Sequence, residues 1–383
     1  MLFLSIRHDT AGARIDSIDA LRGLTVAAML LVNNPGDWGH VFAPLLHAEW
    51  HGCTPTDLIF PFFLFVVGVS IALVTARSGA SAVGALANVG EDERGGASAP
   101  APRTRRSLAR LWWRGLRLFA LGLILNLAVH IAFDTPDMRI MGVLQRIALC
   151  AVIVGMLALY TPARVQWAVL GVLLLGYWWL LVAGGSLDPY VNVASRVDAA
   201  IFGVFNYRFD PSSGLGHEPE GLVSTLGALA TTLLGLRAGA LLAAGRLRFL
   251  LLLAFACLAL GWAWNVWLPF NKNLWTSSYV LWSGGWAALS LWSLHWLIDR
   301  WGLPAVGRTF GVNAIAIYAG SALLVCALAF VGWLEPAYRL LYASWLSPLF
   351  GDKVASLGFA LTHALSWWAV ARALFRRRLY FKV

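Results

Sequence analysis

Charge is scarce in this chain. Of its 383 residues only 13% are charged, and just 19 are acidic. A soluble globular domain carries about 25% charged residues, so an ordinary water-soluble fold is excluded. Cysteine is also rare, and Cys53, Cys150, Cys257 and Cys326 show no CxxC spacing of a metal or redox motif. The last three lie in apolar runs and read as small core residues. Neither a P-loop nor a GxGxxG fingerprint occurs, so no nucleotide fold of those kinds is implied. The stretch MLFLSIRHDTAGARIDSIDA has no apolar core followed by a small-residue cleavage site, and no cleaved signal peptide is expected.

What is abundant is apolar: 59% of the residues are hydrophobic, with 20 Trp and 20 Phe. A hydrocarbon core about 30 Å thick needs roughly 20 apolar residues per helix. Candidate spans fall at approximately 17–34, 56–76, 108–132, 140–160, 164–183, 221–243, 247–268, 275–298, 309–331 and 354–375. The expected fold is therefore all-α, a polytopic membrane bundle of about ten transmembrane helices. The net charge of +10 is read first against the positive-inside rule rather than as a nucleic-acid footprint. The loop after the second span holds Arg77, Arg94, Arg103, Arg105 and Arg106, and the tail ends in Arg376, Arg377, Arg378 and Lys382. The opposite face has Arg139, Arg196, Arg208, Lys272, Arg339 and Lys353, which places both termini in the cytoplasm. Residues 1–383 form one transmembrane domain in this reading. Within it, the Gly/Ala/Ser/Pro-rich stretch 78–104 is expected to be a disordered cytoplasmic linker. No inverted repeat of the transporter kind is evident.

One stretch concentrates chemistry. "LLHAEWHGCTPTDLIFPFFLF", residues 45–65, carries His47, Glu49, His51, Cys53 and Asp57 immediately before an apolar run. Five of the eight histidines (His40, His47, His51, His130 and His217) fall at or beyond the outer boundary, where a group that titrates near neutral pH is useful if protons move. Inside the spans, Arg22, Arg146 with Gln145 beside it, and Asn33 and Asn34 at the outer end of the first helix are costly to bury. Such groups either pair with one another, as in an Arg22–Asp19 bridge, or line a path for an anionic or strongly polar ligand. His47 and His51 at i, i+4 near Cys53 and Asp57 also suit zinc, but Pro55 breaks the helix there, and no metal is assigned.

"RIDSIDALRGLTVAAMLLVNNPGDWG" and "LLHAEWHGCTPTDLIFPFFLFVVGVSI" resemble the heparan-alpha-glucosaminide N-acetyltransferase family of transmembrane acyltransferases. The likeness continues through "MRIMGVLQRIAL", "GHEPEGLVSTLGALATTLLGLRAG", "LPFNKNLWTSSYVL" and "GVNAIAIYAG", in family order. Lysosomal members carry a luminal domain and an extra helix ahead of the first block, so a minimal, bacterial version in the inner (cytoplasmic) membrane is expected. The resemblance implies that the acetyl group of cytosolic acetyl-CoA passes to the amine of an extracytoplasmic, glucosamine-type amino sugar. The family's active histidine maps onto His47, and its polar partners map onto Asn33 and Asp57.

The chemistry agrees with this. N-acetylation needs a neutral amine, and imidazole is the natural base. Asp57 is placed to hydrogen-bond the other ring nitrogen and fix the tautomer, and Asn33 to donate to the thioester oxygen. A covalent acetyl-His47 intermediate is the alternative route. Arg22, Arg146 and Gln145 are the donor-binding candidates, with Asn271, Lys272 and Asn273 set on the acceptor and acetyl side. Arg110, Arg114 and Arg117 read as positive-inside anchors. The acidic loop 184–220 suits an ammonium-bearing sugar. Expected partners are acetyl-CoA as co-substrate, an amino-sugar or glycan acceptor and the lipid bilayer. No nucleic acid is expected, and homodimerisation is left open. The competing readings are a membrane transporter of an amino sugar and an O-acetyltransferase of an envelope glycan.

Overall fold

The structure is a computed structural model that describes residues 15–78 and 102–381. Most of the expected linker, residues 79–101, lies outside the described residues. At its edges, Ser78 closes one helix and residues 102–104 open the next.

The chain is helical almost throughout. α1 (Asp16–Val32) is followed by a loop and a 3-10 turn, Pro55–Leu58, that leads into α2 (Ile59–Ser78). Then come α3 (Pro102–Phe133), α4 (Val143–Tyr160), α5 (Ala163–Ala183) and the short α6 (Val193–Phe202). A small antiparallel hairpin joins β1 (Arg208–Asp210) to β2 (Leu215–His217), pairing Arg208 with His217 and Asp210 with Leu215. α7 (Thr225–Ala243), α8 (Leu247–Trp264) and α9 (Ser277–Leu294) follow, and α9 continues as one wider turn, His295–Arg300. The C-terminal part holds α10 (Arg308–Val312), α11 (Ala314–Phe330), α12 (Leu334–Tyr338), α13 (Ser344–Phe350) and α14 (Asp352–Arg376).

Nine of the ten expected spans each hold one helix and the span 309–331 breaks at Asn313 into α10 and α11, but among the described residues only seven helices are long and apolar enough to cross a membrane. These are the segments in α2, α3, α4, α5, α7, α8 and α14; an eighth counts if α11 and the segment beyond it, bent by 102°, form one broken span. By length and apolarity, seven or eight of the roughly ten expected crossings are met. α1 has 17 residues and three charges, and Ser, Gly and Trp dilute α9. Placing both termini on one side therefore rests on α1, α9 and α11 also crossing.

The described chain falls into two compact units. The first comprises the residues up to Phe63, Ile124–Met138 and those from Ser290 onward. Here α1 packs on α10 and α14. The approach is close because Gly23 and Gly311 have no side chain: a Cβ on Gly23 would lie 1.8 Å from the Gly307 carbonyl oxygen. Small residues that let backbones approach are how helices associate without a hydrophobic driving force. The start of α1 is pinned by Ser17 Oγ donating to Asp299 at 2.5 Å and by Arg308 to Asp16 at 3.1 Å. Asn313 holds the tail, donating to the Leu379 carbonyl and accepting from the Phe381 N–H.

The second unit comprises Leu64–Leu123 and Arg139–Leu289. α7 is its most enclosed helix, packing on both α4 and α5. The glycine device recurs: a Cβ on Gly235 would lie 2.1 Å from the Phe65 carbonyl oxygen. α5 is tied to the 268–277 segment by Tyr177 Oη donating to the Leu274 carbonyl and Ser277 Oγ donating to that of Leu174.

Candidate functional site

The loop between α1 and α2 is folded around one carboxylate. Thr54 and Asp57 form a capping box with Pro55 at the first helical position, a local pattern that starts a helix. Asp57 Oδ2 accepts from the Thr54 N–H at 2.9 Å, the Ala48 N–H at 3.1 Å and the Thr54 hydroxyl at 3.1 Å. Its other oxygen, Oδ1, lies 2.7 Å from His47 Nδ1. The Asp57 side chain is 1% exposed and that of His47 45%. A buried, fully engaged carboxylate thus orients an imidazole that faces outward. With the carboxylate accepting, Nδ1 carries the proton and Nε2 is the basic nitrogen. Thr54 Oγ to the Leu46 carbonyl and Thr56 Oγ to that of Pro44 close the rest of the loop.

Asn33 ends α1 and is exposed. It lines a cavity of about 690 Å³ together with Asn34 and Trp38. His47 is not among the described residues that form the wall of this cavity. Arg22, on the same helix, donates to Asp19 at 3.2 Å and to the Gly311 carbonyl at 3.3 Å. This is the internal pairing weighed for it from the sequence. His47, Asp57, Asn33 and Arg22 all belong to the first unit, whereas Arg146, Gln145, Asn271, Lys272 and Asn273 belong to the second.

In the second unit Arg146 is fully buried in α4. One of its terminal nitrogens donates to the carbonyls of Pro219 and Gly221, at 2.8 and 3.3 Å, and to the Ser224 hydroxyl. Its guanidinium carbon lies 5.0 Å from the centre of the Trp275 ring. Nε and the other terminal nitrogen are buried with no hydrogen-bond partner among the described residues. Gln145, also buried, donates to the Ile140 carbonyl at 2.9 Å. Asn271 Oδ1 accepts from the Leu274 N–H at 2.8 Å, and its carbonyl accepts from Thr276, forming a turn that carries half-buried Lys272 and Asn273.

Sequence reasoning missed the hub of this unit. Arg139, just before α4, ion-pairs with both Glu218 and Glu220 and lies under the Tyr207 ring. Burial opposes the charge on Glu220, but Arg139, Arg146 and Lys272 outweigh it and hold its carboxyl down at about 2. Burial raises Glu218 despite Arg139, raises Asp198 to about 6 against the Leu222 and Val223 N–H groups, and lowers His217 to about 4. His217 Nδ1 lies 3.1 Å from the Ser195 hydroxyl. The acidic side chains expected to face an ammonium sugar, Glu218 and Glu220, thus have their charge met by arginine inside the protein. The available signal was an isolated arginine ahead of a span and a Glu-Pro-Glu run ahead of another. Among the described residues no group of three or more His, Cys, Asp or Glu side chains is placed to hold a metal.

Residues 14–197 match the family model described as heparan-alpha-glucosaminide N-acetyltransferase, catalytic. That range holds His47, Asp57, Asn33, Arg22, Gln145 and Arg146 but not the 271–273 turn. The chain is 27% identical over 370 residues to the human heparan-alpha-glucosaminide N-acetyltransferase, covering 80% of this chain and 52% of the human protein. Against the mouse protein of that name it is 26% identical over 379 residues, covering 81% of this chain and 54% of the mouse protein. The chain therefore spans about half the length of these curated relatives.

Proposed function

Since the chain is a relative of the heparan-alpha-glucosaminide N-acetyltransferases, we propose that it is a membrane N-acetyltransferase. In this reading it moves the acetyl group of cytosolic acetyl-CoA to the amine of an amino sugar on the other side of the bilayer. The observation that carries the proposal is the His47–Asp57 pair, with Nδ1 and Oδ1 2.7 Å apart. An imidazole held in one tautomer by a buried carboxylate is what general-base chemistry at neutral pH requires.

In the direct route, the amine nitrogen attacks the thioester carbonyl and passes its proton to His47 Nε2. The new C–N bond forms, the C–S bond breaks, and the proton goes to the departing thiolate, leaving the acetamide and the free thiol of CoA. Asp57 holds the imidazole and, as a carboxylate, stabilises its charged form. Asn33 is the proposed donor to the thioester oxygen as charge develops there. In the two-step route, Nε2 carries the acetyl group before the amine takes it. The donor brings an activated acyl group and phosphates. Arg146, with two buried guanidinium nitrogens that have no hydrogen-bond partner among the described residues, is the better proposed contact for it, with Gln145 adjacent. Asn271, Lys272 and Asn273 in the second unit, and Arg22 in the first, are the other proposed donor-binding groups.

The test is to give the purified protein acetyl-CoA and glucosamine, and to measure thiol release alongside N-acetylated product. Equal amounts of both are expected. Uptake of unmodified glucosamine into proteoliposomes without thiol release would support a transporter instead. Acetyl ester in place of acetamide would support O-acetylation.

A further inference from the structure

The cavity that Asn33 lines has a graded wall, and the grading bears on what it accepts. α1 packs on α11 in the first unit; near the start of α1, Asp19 lies against Gly311, and Gly36 beyond its end lies against Tyr338. Followed along α1, the wall changes from Met29 and Leu30 to Asn33 and Asn34, then to Trp38 in the loop beyond. Followed along α11, it is formed by Ala322, Val325, Cys326 and Ala329, with Tyr318 and Ser321 nearer the start of that helix. One side of the space is therefore mostly apolar, and the α1 side carries two carboxamides and an indole that is 63% exposed.

The two parts call for different chemistry. Carboxamides both donate and accept hydrogen bonds, as hydroxyl-rich ligands require. An indole adds a flat, amphipathic surface for a sugar ring. Asn34 is already oriented, donating to the Leu30 carbonyl at 2.7 Å. A free hexosamine would satisfy the carboxamides and the indole and leave the apolar wall without a partner. The volume, about 690 Å³, is of the size that encloses a whole small molecule rather than one ring.

We propose that this cavity binds an amphiphilic amino sugar, with the sugar ring at Asn34 and Trp38, next to Asn33, and a hydrocarbon aglycone along Leu30, Val325 and Ala329. Resting on the acetyltransferase reading, it names the acceptor class as lipid-linked rather than free glucosamine.

The experiment measures binding without turnover. Radiolabelled methyl and octyl glucosaminide are titrated onto the protein in nanodiscs, with empty nanodiscs subtracted. The octyl compound is expected to bind at least about 10-fold more tightly, because each buried methylene adds to affinity. Ala329→Trp and Val325→Phe fill the space along the apolar wall, and each is expected to erase that preference while methyl glucosaminide still binds. Unchanged melting temperatures confirm folding. Equal affinity of the wild type for both compounds overturns the proposal, whatever the variants do. So does a preference that survives in both folded variants. Chain-length-dependent binding without any acetyl transfer would overturn the acetyltransferase reading and leave the cavity assignment standing.

Discussion

Asp57 holds His47 by a 2.7 Å contact between Oδ1 and Nδ1, and its second oxygen fastens the backbone on either side of the loop through Ala48 and Thr54. Orientation of the imidazole and closure of the loop thus depend on the same carboxylate. Asp57→Asn is expected to lower acetyl transfer by up to roughly 10⁴-fold, the loss that follows when the carboxylate fixing a catalytic imidazole's tautomer becomes an amide. Acetyl-CoA binding should be unchanged. Asp57→Ala should also lower stability by about 1–3 kcal/mol, because buried N–H groups lose their acceptor. Kinetics, donor binding and melting on both variants check this. Unaltered kinetics in Asp57→Asn would remove its positioning role.

Gly23 is required by the approach of α1 to α10. A Cβ there would meet the Gly307 carbonyl oxygen at 1.8 Å, and that atom is backbone, not a movable side chain. Gly23→Ala is expected to destabilise the protein by at least the ~1–3 kcal/mol typical of overpacking. A melting temperature equal to the wild type would show that the helices separate at little cost.

Asp198 sets a pH dependence of stability. Burial raises its folded value to about 6, against an unfolded reference near 3.9. The folded state therefore binds the proton more tightly, and stability falls as pH rises through that window. Asp198→Asn stays neutral throughout. Its melting temperature relative to the wild type should be highest above pH 6 and lose that advantage below about pH 4. A difference independent of pH would contradict the assignment.

The two buried-helix arginines are expected to separate in their effects. Arg22 is paired with Asp19 and the Gly311 carbonyl, whereas two guanidinium nitrogens of Arg146 have no described partner. Arg146→Lys should weaken acetyl-CoA binding, because the charge remains but the fork is lost. Arg22→Lys should weaken that binding less and should also lower the melting temperature, because its pairing with Asp19 and the Gly311 carbonyl is disturbed. The donor path is checked by titrating acetyl-CoA onto both variants, and undiminished affinity in Arg146→Lys would remove that residue from it.

Much of this was legible in the sequence, for physical reasons. Low charge and long apolar runs identify membrane helices because nothing else satisfies the backbone in lipid. Asp57 as the partner of His47 was legible through the family resemblance, whereas the Thr54–Asp57 capping box that buries the carboxylate emerges only in the structure. The number of crossing helices was less legible: α1 and α9 mix apolar with small, polar and charged residues, and hydropathy alone does not decide such segments. The Arg139–Glu218–Glu220 network was not legible at all. Its members are separated by almost eighty positions, and no local pattern announces a contact made only by the fold. Arg22 was legible as a charge within a helix, and it is half-buried, but its contact with the Gly311 carbonyl depends on how α10 meets α1.

The most direct measurement compares His47→Ala with the wild type in proteoliposomes, with acetyl-labelled CoA on one side and amino-sugar acceptor on the other. Label should cross to the acceptor in the wild type without either compartment leaking. In His47→Ala that transfer should fall by at least the roughly 10²–10⁴-fold expected for loss of a general base, while acetyl-CoA still binds. Near-normal transfer by His47→Ala would contradict the central assignment.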